Sequence, residues 1–373
     1  MQIFFRRHFL CLLACLAGLL AGCQEQPPLK IGFSAALTGR AAGLGTDGRN
    51  GFLLAIEEAN ANGGLSGKQV EILIRDNQMD QEVSRKVTRA LIDEGVAAII
   101  GPMTSQMALV AEPISRHARV PIIAPTVSTN LLSGRDDYFF RVYYSSAQAA
   151  DLLAARLDKD GKVRRMAVIY DTANRAYTED WLNIFRERFE ALGGVVVAAL
   201  PFELAQDTLF SDIVTQTIEA NPDGVLLLAN ALDTALLCQH FAKKSATLER
   251  FATGWSYSDD LFHFGGQAVE GLILLQSADL SAETARYKAF QRSYQQRFQK
   301  LPNFPAIHAY DATRLLLAAL EQTTPQQNLK NTLMTLDNFQ GLQAPLSFDA
   351  FGDLRNPQLF LARVVDGTFV RIE

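Results

Sequence analysis

The sequence predicts an α/β fold built from two doubly wound, parallel-sheet lobes. Three observations support this prediction. Short apolar runs alternate with amphipathic stretches, as in a parallel sheet that is covered by helices on both faces. The same alternation occurs a second time in a series that starts near Ala147. The length of 373 residues suits about two domains, at ~100–200 residues per domain.

The first series of elements starts after Pro28. Continuous apolar runs predict strands, and amphipathic stretches predict helices. Gly63 and Gly64 end the first helix, because glycine is favoured just after a last helical turn. In chain order the predicted elements are strand 29–35, helix 47–62, strand 68–76, helix 81–94, strand 96–100, helix 106–119 and strand 120–124.

The second series has the same architecture but no recognisable sequence repeat of the first. Its predicted helices are 147–158, 177–192, 209–220 and 232–244, and its strands are 166–170, 195–200, 224–228 and 251–253. After it come strand 271–276, helices 282–299 and 304–322, and short strands from Gly341 onward. Two such series in one chain predict two lobes.

The first residues differ from the rest and predict an export signal over residues 1–22. Arg6 and Arg7 precede the apolar run 9–21. This run is too short for a membrane span of ~20 residues, and charge followed by an apolar run and small residues is the order of a signal peptide. A short membrane anchor is the alternative.

The signal ends in a motif that resembles the lipobox of bacterial lipoproteins, Leu20-Ala21-Gly22-Cys23. The resemblance implies that Cys23 becomes the acylated N-terminus, that residues 23–27 are a lipidated tether, and that the protein is a membrane-anchored lipoprotein of the cell envelope. More than one acyl chain anchors a protein stably. Gln24 favours the outer membrane facing the periplasm over the outer face of the plasma membrane.

Composition and cysteine content exclude several classes of protein. With 48% apolar and 20% charged residues the chain is globular. A net charge of −5 without a basic tract argues against a nucleic-acid partner. Once Cys11 and Cys15 leave with the signal and Cys23 is lipidated, only Cys238 remains. No intrachain disulfide is therefore expected, and Cys238 is predicted to be a buried small hydrophobe.

The loops that follow the predicted strands are the place to look for a binding site, because open α/β sheets bind ligands at the carboxyl ends of their strands. Gly101-Pro102-Met103-Thr104-Ser105 links a buried strand to a helix, and its amides and hydroxyls are suited to hold a carboxylate. The alternative is that Thr104 or Ser105 only caps its own helix. Val127, Ser128 and Thr129 follow the next strand, where a Ser-Thr pair is also ordinary turn chemistry.

The order of motifs resembles that of the type I periplasmic binding proteins of the branched-chain amino acid ABC transporter class. The resemblance covers nearly the whole mature chain. It rests on Lys30-Ile31-Gly32-Phe33, Leu37-Thr38-Gly39, Gly51, Glu57-Glu58-Ala59-Asn60-Ala61-Asn62-Gly63-Gly64, Ile99-Ile100-Gly101-Pro102, Thr104-Ser105, Pro121, Ala124-Pro125, Tyr138-Phe139-Phe140-Arg141, Tyr170-Asp171, Tyr177 and Ala309-Tyr310-Asp311-Ala312.

The resemblance implies an N-terminal lobe of residues 28–144 and 274–342 and a C-terminal lobe of residues 145–273 and 343–373. The chain then crosses between the lobes near 145, 273 and 343, and these crossings form a three-stranded hinge. The expected ligand-binding residues are Leu44, Ser105, Val127, Ser128, Thr129, Tyr177, Asn230 and Trp255. For Tyr177, packing in the core is the alternative.

Trp255 departs from the family pattern. It stands where amino acid binders of this family place an acid for the α-ammonium group, and an indole cannot form that ion pair. Asp171, Glu179, Asp233 and Asp259 are the candidate substitutes. The sequence does not choose among them.

No enzyme, metal site or cofactor is expected. Gly43-Leu44-Gly45-Thr46-Asp47-Gly48 matches the dinucleotide fingerprint, but it does not follow its strand directly, and Asp76 lies too far along the chain. No Gly-x-Ser-x-Gly elbow is present, and the histidines lack metal-ligand spacing.

The sequence therefore predicts a lipid-anchored solute-binding protein. It captures a small carboxylate-bearing ligand, such as a branched-chain or other apolar amino acid, an amide or an aromatic acid. It then delivers this ligand to an ABC transporter permease. The alternative is a lipoprotein of the same fold that acts as a ligand sensor or envelope regulator without transport.

Overall fold

The computed structural model describes residues 28–203, 209–245, 247–324 and 327–372. The predicted signal peptide, the acylation site Cys23 and the tether lie outside these residues. Within the described part of the chain, no helix combines the length and the apolar character that crossing a bilayer requires.

The first sheet has five parallel strands in the order β2-β1-β3-β4-β5. They are β1 (Leu29–Ala35), β2 (Val70–Asp76), β3 (Ala98–Ile100), β4 (Ile122–Ala124) and β5 (Phe139–Arg141). The connecting helices are α1 (Ala42–Ala61), α2 (Gln81–Asp93) and α3 (Ser105–Ala118). In such a doubly wound sheet the strand order reverses between β1 and β3, and ligands bind beyond that point.

The second sheet repeats this order with its own strands. Its parallel part runs β7-β6-β8-β9-β10, and β13 and β14 extend it in antiparallel fashion. The strands are β6 (Arg165–Asp171), β7 (Val195–Phe202), β8 (Gly224–Leu228), β9 (Glu249–Ala252), β10 (Ile273–Gln276), β13 (Phe360–Val365) and β14 (Thr368–Arg371). The predicted α/β fold with two parallel-sheet lobes is confirmed.

The remaining helices complete both lobes, and the last two contribute Leu315, Leu316 and Leu333 to the core of the first lobe. They are α4 (Ser146–Asp160), α5 (Arg175–Ala191), α6 (Phe210–Glu219), α7 (Ala231–Lys243), α8 (Asp259–Gly265), α9 (Ala285–Phe298), α10 (Phe304–Gln322) and α11 (Leu329–Thr335). A small hairpin is formed by β11 (Phe339–Gln340) and β12 (Pro345–Leu346).

Helix α1 begins at Ala42, five residues before the predicted start at residue 47. The glycines of its first turns pack the helix against its neighbours. A Cβ on Gly45 would lie 1.9 Å from the carbonyl oxygen of Ala36, and one on Gly48 would lie 2.5 Å from Cε of Met103. The glycine spacing that matches a dinucleotide fingerprint thus serves close packing.

The chain passes between the two sheets after β5, after β10 and again before β13. The predicted boundary at 273–274 falls inside β10, which pairs with strands of the second sheet throughout. The predicted boundary at 342–343 is also too early. Phe348 and Leu354 pack in the core of the first lobe, and the carbonyl of Gly352 accepts the Arg141 N–H at 3.0 Å. Apolar runs indicate strands but do not show which sheet they join.

Candidate ligand-binding cleft

A cavity of about 300 Å³ lies where the carboxyl ends of the strands of both sheets face each other. The first lobe lines it with residues that follow β1, β3 and β4. The second lobe contributes residues that follow β6 and β9, and a tyrosine pair lies where the chain leaves β5. The lining residues are Leu44, Met103, Thr104, Ser105, Thr126, Ser128, Tyr143, Tyr144, Asn174, Tyr177, Trp255 and Phe304.

One end of the cavity is the N-terminus of α3. Thr104 is the N-cap residue, and its side chain makes no capping hydrogen bond. The Oγ of Ser105 accepts the N–H groups of Ser128 at 3.4 Å and Thr129 at 3.3 Å, so it joins the helix to the loop after β4. These hydrogen bonds are long, and the helix dipole is positive at this end. A carboxylate is therefore the group that this end of the cavity suits.

Gly101 allows the chain to turn from β3 into α3 at this point. Its φ is +101°, a backbone conformation that favours glycine. A Cβ there would lie 2.2 Å from the carbonyl oxygen of Ser34 in β1. The turn thus depends on glycine both for its backbone angle and for the approach of β1.

The other walls of the cavity are mainly aromatic. Trp255 meets Tyr177 edge to face, with ring centroids 5.7 Å apart and an angle of 87° between the planes. Tyr143 and Tyr144 are stacked at 4.1 Å, and their hydroxyls are 3.2 Å apart. Burial raises the pKa of Tyr143, Tyr144 and Tyr177 well above the ordinary value, so all three hydroxyls stay protonated.

Gly254 gives the tyrosine pair its space. A Cβ at this position would lie 2.7 Å from the hydroxyl of Tyr144 and 2.9 Å from that of Tyr143. The hydroxyl of Tyr177 is buried and has no well-formed hydrogen bond within the described residues. The cavity therefore contains phenolic hydroxyls at defined positions on an otherwise apolar wall.

No Asp, Glu, Lys, Arg or His is among the described residues that line this cavity. Asp233, one of the four acids considered above, is buried and forms an ion pair with Arg40, and it also accepts the amide of Asn230 at 2.7 Å. Asp171 accepts the N–H of Ala173 at 2.8 Å and caps a short 3₁₀ turn.

The other two candidate acids also lie elsewhere. Glu179 is exposed and 3.8 Å from Arg175 on the same helix. Asp259 belongs to the first turn of α8, and its pKa is raised by burial and then by the neighbouring Asp260 and Asp47. None of the four acids lines the cavity, which therefore shows no acidic partner for an ammonium group among the described residues.

Five of the eight predicted binding residues line the cavity: Leu44, Ser105, Ser128, Tyr177 and Trp255. The other three lie close by. Val127 and Thr129 are buried in the loop after β4, where Thr129 caps the next turn through the N–H of Leu131. Asn230 caps α7 and lines an outer chamber at the mouth of the cleft, which shares Leu44 and Trp255 with the inner cavity.

Seven lining residues are not among the predicted binding residues: Met103, Thr104, Thr126, Tyr143, Tyr144, Asn174 and Phe304. Thr104 was considered only as an anion ligand or helix cap in its loop. Thr126 and Asn174 follow strands and could have been found by that rule. Tyr143 and Tyr144 lie at the crossing after β5, a strand too short to be predicted. The start of α10 at Phe304 gives no indication that it faces the cleft.

Several polar contacts between described residues join the two lobes across the cleft. Arg40 pairs with Asp233. The N–H of Asn130 donates to Asp180 at 2.8 Å. Gln106 donates its N–H to Asn174 at 3.0 Å, and its side-chain oxygen accepts the N–H of Ala176 at 3.2 Å. The lobes are therefore closed over the cavity in this structure.

The free cysteine and the metal-ligating side chains show no arrangement for enzymatic chemistry within the described residues. Cys238 is buried, and burial raises the pKa of its thiol to about 11, so it is a thiol rather than a nucleophilic thiolate. Among the described residues there is no group of three or more His, Cys, Asp or Glu side chains that would hold a metal ion.

Comparison with known proteins agrees with this architecture. The family model described as periplasmic binding protein matches residues 28–368. The Leu/Ile/Val-binding protein homolog 3 of Brucella melitensis is 22% identical over 355 residues, covering 92% of this chain and 94% of that protein.

Two solved structures share the fold. A branched-chain amino acid transporter substrate binding protein from Streptococcus pneumoniae, in complex with isoleucine, has a TM-score of 0.83 at 23% identity, covering 93% of this chain and 100% of that one. A solute binding protein of an ABC transporter from Rhodopseudomonas palustris, in complex with 3,4-dihydroxybenzoic acid, has a TM-score of 0.82 at 24% identity, covering 92% and 96%. The resemblance to type I periplasmic binding proteins is thereby confirmed. The chain belongs to the periplasmic binding protein family, whose members bind solutes and are not enzymes.

Proposed function

We propose that this chain is a lipid-anchored solute-binding protein that captures a small carboxylate-bearing ligand between its lobes and delivers it to an ABC transporter permease. The observation that carries the proposal is the closed cavity between the two sheets. One of its ends suits an anion, and its walls are apolar and aromatic.

Capture follows from the division of contacts between the lobes. The first lobe supplies the N-terminus of α3 with Ser105 and the loop with Ser128, so it holds the carboxylate without help from the second lobe. Tyr177 and Trp255 then cover the ligand when the lobes rotate about the three crossings. The ligand stabilises the closed form because its contacts with the second lobe exist only there.

The anchor is supported by the N-terminal sequence. A lipobox that ends at Cys23 closes the signal peptide, and diacylglycerol on the thiol together with an acyl chain on the amine gives more than one chain, which anchors a protein stably. Replacement of Cys23 by Ser should abolish metabolic labelling with palmitate and release the protein from the membrane fraction. Membrane retention of the unlabelled variant would contradict the anchor.

The range of ligands follows from the cleft and from the relatives. One solved relative holds isoleucine and another holds 3,4-dihydroxybenzoic acid, both of which carry a carboxylate. We therefore propose apolar amino acids, short amides and aromatic acids as the range to test.

The test is a thermal-shift screen of the protein from residue 24 against these three ligand groups. A ligand at 100 times its Kd adds roughly 2.7 kcal/mol to the folded state, which raises the melting temperature. The ligand found should then be taken up by cells that hold the gene and not by a deletion strain. Binding without any effect on uptake would indicate a sensor or envelope regulator instead.

A further inference from the structure

The two ends of the ligand cavity differ in the charged groups that they can bind. The N-terminus of α3 and the loop after β4 form the anion end, where the Ser105 oxygen accepts two long hydrogen bonds and its own O–H can donate to an anion. The remaining described lining residues are hydroxyl, amide, thioether and apolar groups. A carboxylate that enters the cavity therefore exchanges water for hydrogen bonds, whereas an ammonium group loses water without gaining an ion pair.

The outer chamber at the mouth of the cleft is lined by Asp47 and Asp260, and neither of these acids lines the inner cavity.

Two of the candidate acids are already committed to other contacts. Asp233 would have to leave Arg40 and the amide of Asn230 to reach a ligand, and breaking these contacts would also open the lobes. Asp171 would have to abandon the 3₁₀ turn that it caps. Neither Asp233 nor Asp171 can pair with a ligand ammonium group without losing the contacts that it makes now.

The aromatic wall suits a flat apolar group. The edge-to-face arrangement of Trp255 and Tyr177 is the geometry that aromatic rings adopt with one another, and an aromatic ring on the ligand would add a further contact of this kind. An aromatic cage around a cation is the competing arrangement. Here the two rings meet edge to face and no acid lines the cavity, so a cation would gain no ion pair beside them. The wall therefore favours a neutral ring.

We propose that the ligand is an aromatic or similarly flat apolar carboxylate without an α-ammonium group, and that the cleft discriminates against free amino acids. This inference rests on the proposed function, since it names the ligand class of the same cleft. Trp255 is its specificity-determining residue, because it occupies the second-lobe wall with a ring and brings no charge.

The first experiment compares ligands that differ only in the ammonium group. 3-Phenylpropionate is L-phenylalanine without it, and 4-methylpentanoate is L-leucine without it. Each is titrated calorimetrically into the processed protein in detergent, with benzoate and glycine betaine as further probes. We expect the acid of each pair to bind at least about 10-fold more tightly than the amino acid, the effect of one charged hydrogen bond.

The second experiment adds a charge at the same position. Trp255→Asp supplies a carboxylate, and Trp255→Asn is a control of the same shape without charge. We expect L-phenylalanine to bind the Asp variant at least about 10-fold more tightly than the Asn variant. Circular dichroism of both variants shows whether they fold. If either does not, the wild-type ligand pairs decide the question alone.

The outcomes separate this inference from the proposed function. Tighter binding of L-leucine or L-phenylalanine than of the matching acids would overturn the inference and leave the solute-binding function intact. Tightest binding of glycine betaine would overturn it in favour of an aromatic cage. A folded protein that binds none of these ligands would overturn both the inference and the proposed carboxylate ligand.

Discussion

Asp311 is a buried carboxyl whose removal should change the pH dependence of stability. It lines a second cavity, of about 420 Å³, which the crossing segments enclose and which shares two tyrosines with the ligand cavity. Both of its oxygens accept the N–H of Leu342, at 3.0 and 3.1 Å. Burial raises its pKa to about 7, although the Leu342 amide and the charges of Arg314 and Arg286 act in the opposite direction. We predict that Asp311→Asn becomes more stable relative to wild type as the pH rises from 5 to 8.

The sign and size follow from proton binding. The ordinary pKa of an aspartate is 3.8, so between pH 3.8 and 7 the folded state of the wild type binds a proton that the unfolded state does not. The free energy of unfolding therefore falls as the pH rises through this window, and the full loss is present above pH 7. Each pH unit contributes about 1.36 kcal/mol, so the two units from pH 5 to 7 give about 3 kcal/mol. Asparagine does not titrate, so the variant avoids this loss.

His308 provides the matched control with the opposite sign. It lines the same cavity, with its Nε2 2.8 Å from the Oγ of Ser277, and burial lowers its pKa from 6.5 to about 3. Between pH 3 and 6.5 the unfolded state binds the extra proton, so the wild type loses stability as the pH falls through that window. His308→Gln should therefore gain stability relative to wild type toward low pH.

The measurement is urea unfolding of the three proteins at pH 5, 6, 7 and 8, with the free energy of unfolding taken by linear extrapolation. The difference between Asp311→Asn and wild type should rise by about 3 kcal/mol across the series. A difference that stays the same at every pH would refute the reasoning, because it would mean that folding does not desolvate this carboxyl.

Three further changes test the cleft once a ligand is known, each by calorimetric titration. Ser105→Ala should weaken binding by about 1–3 kcal/mol, since a hydroxyl is lost from the anion end of the cavity; unchanged affinity would remove Ser105 from the site. Arg40→Ala should weaken binding roughly 5-fold through loss of its ion pair with Asp233, in which the arginine is half-exposed, and small-angle scattering should show a more open protein. Arg85→Ala removes an exposed ion pair with Glu82 inside α2, within one lobe, and should change neither. Gly254→Ala should weaken binding at least about 10-fold by displacing the tyrosine pair, an effect that overpacking of this kind predicts, and wild-type affinity would contradict the role of this glycine.

The fold could be predicted from sequence because its strands are buried on both faces. Such strands are continuous apolar runs, as in β8, where Gly224–Leu228 was predicted with the observed bounds. The start of α1 could not be predicted, because glycine is unfavourable inside a helix. Gly45 is needed there because the backbone of Ala36 lies too close for any side chain. The last crossing could not be placed either, since the packing of Leu354 on the first lobe depends on a partner far along the chain.

The site divides in the same way. Ser105 and Ser128 could be found because they follow strands, and the ends of parallel strands share one edge of a sheet. The question of an ammonium partner could not be answered from sequence. Asp233 is as suitable an acid as any until its ion pair with Arg40, 193 residues away, is known. That pair is a contact between lobes, which no local pattern indicates.

The two lobes contact different parts of the proposed ligand, so the contacts that give affinity differ from those that favour closure. Ser105 and Ser128 belong to one lobe, so under the proposed function the carboxylate would make the same hydrogen bonds whether the cleft is open or closed, and it would not shift the equilibrium between these forms. The apolar body of the ligand differs, because it meets Trp255 and Tyr177 only when the lobes close. The body thus provides the differential free energy that closure requires, and the carboxylate provides binding that is independent of closure. A bare carboxylate that occupies the anion end therefore lacks the contacts that favour the closed form. On the proposed function, a ligand that reaches the aromatic wall therefore favours closure more than a bare carboxylate does.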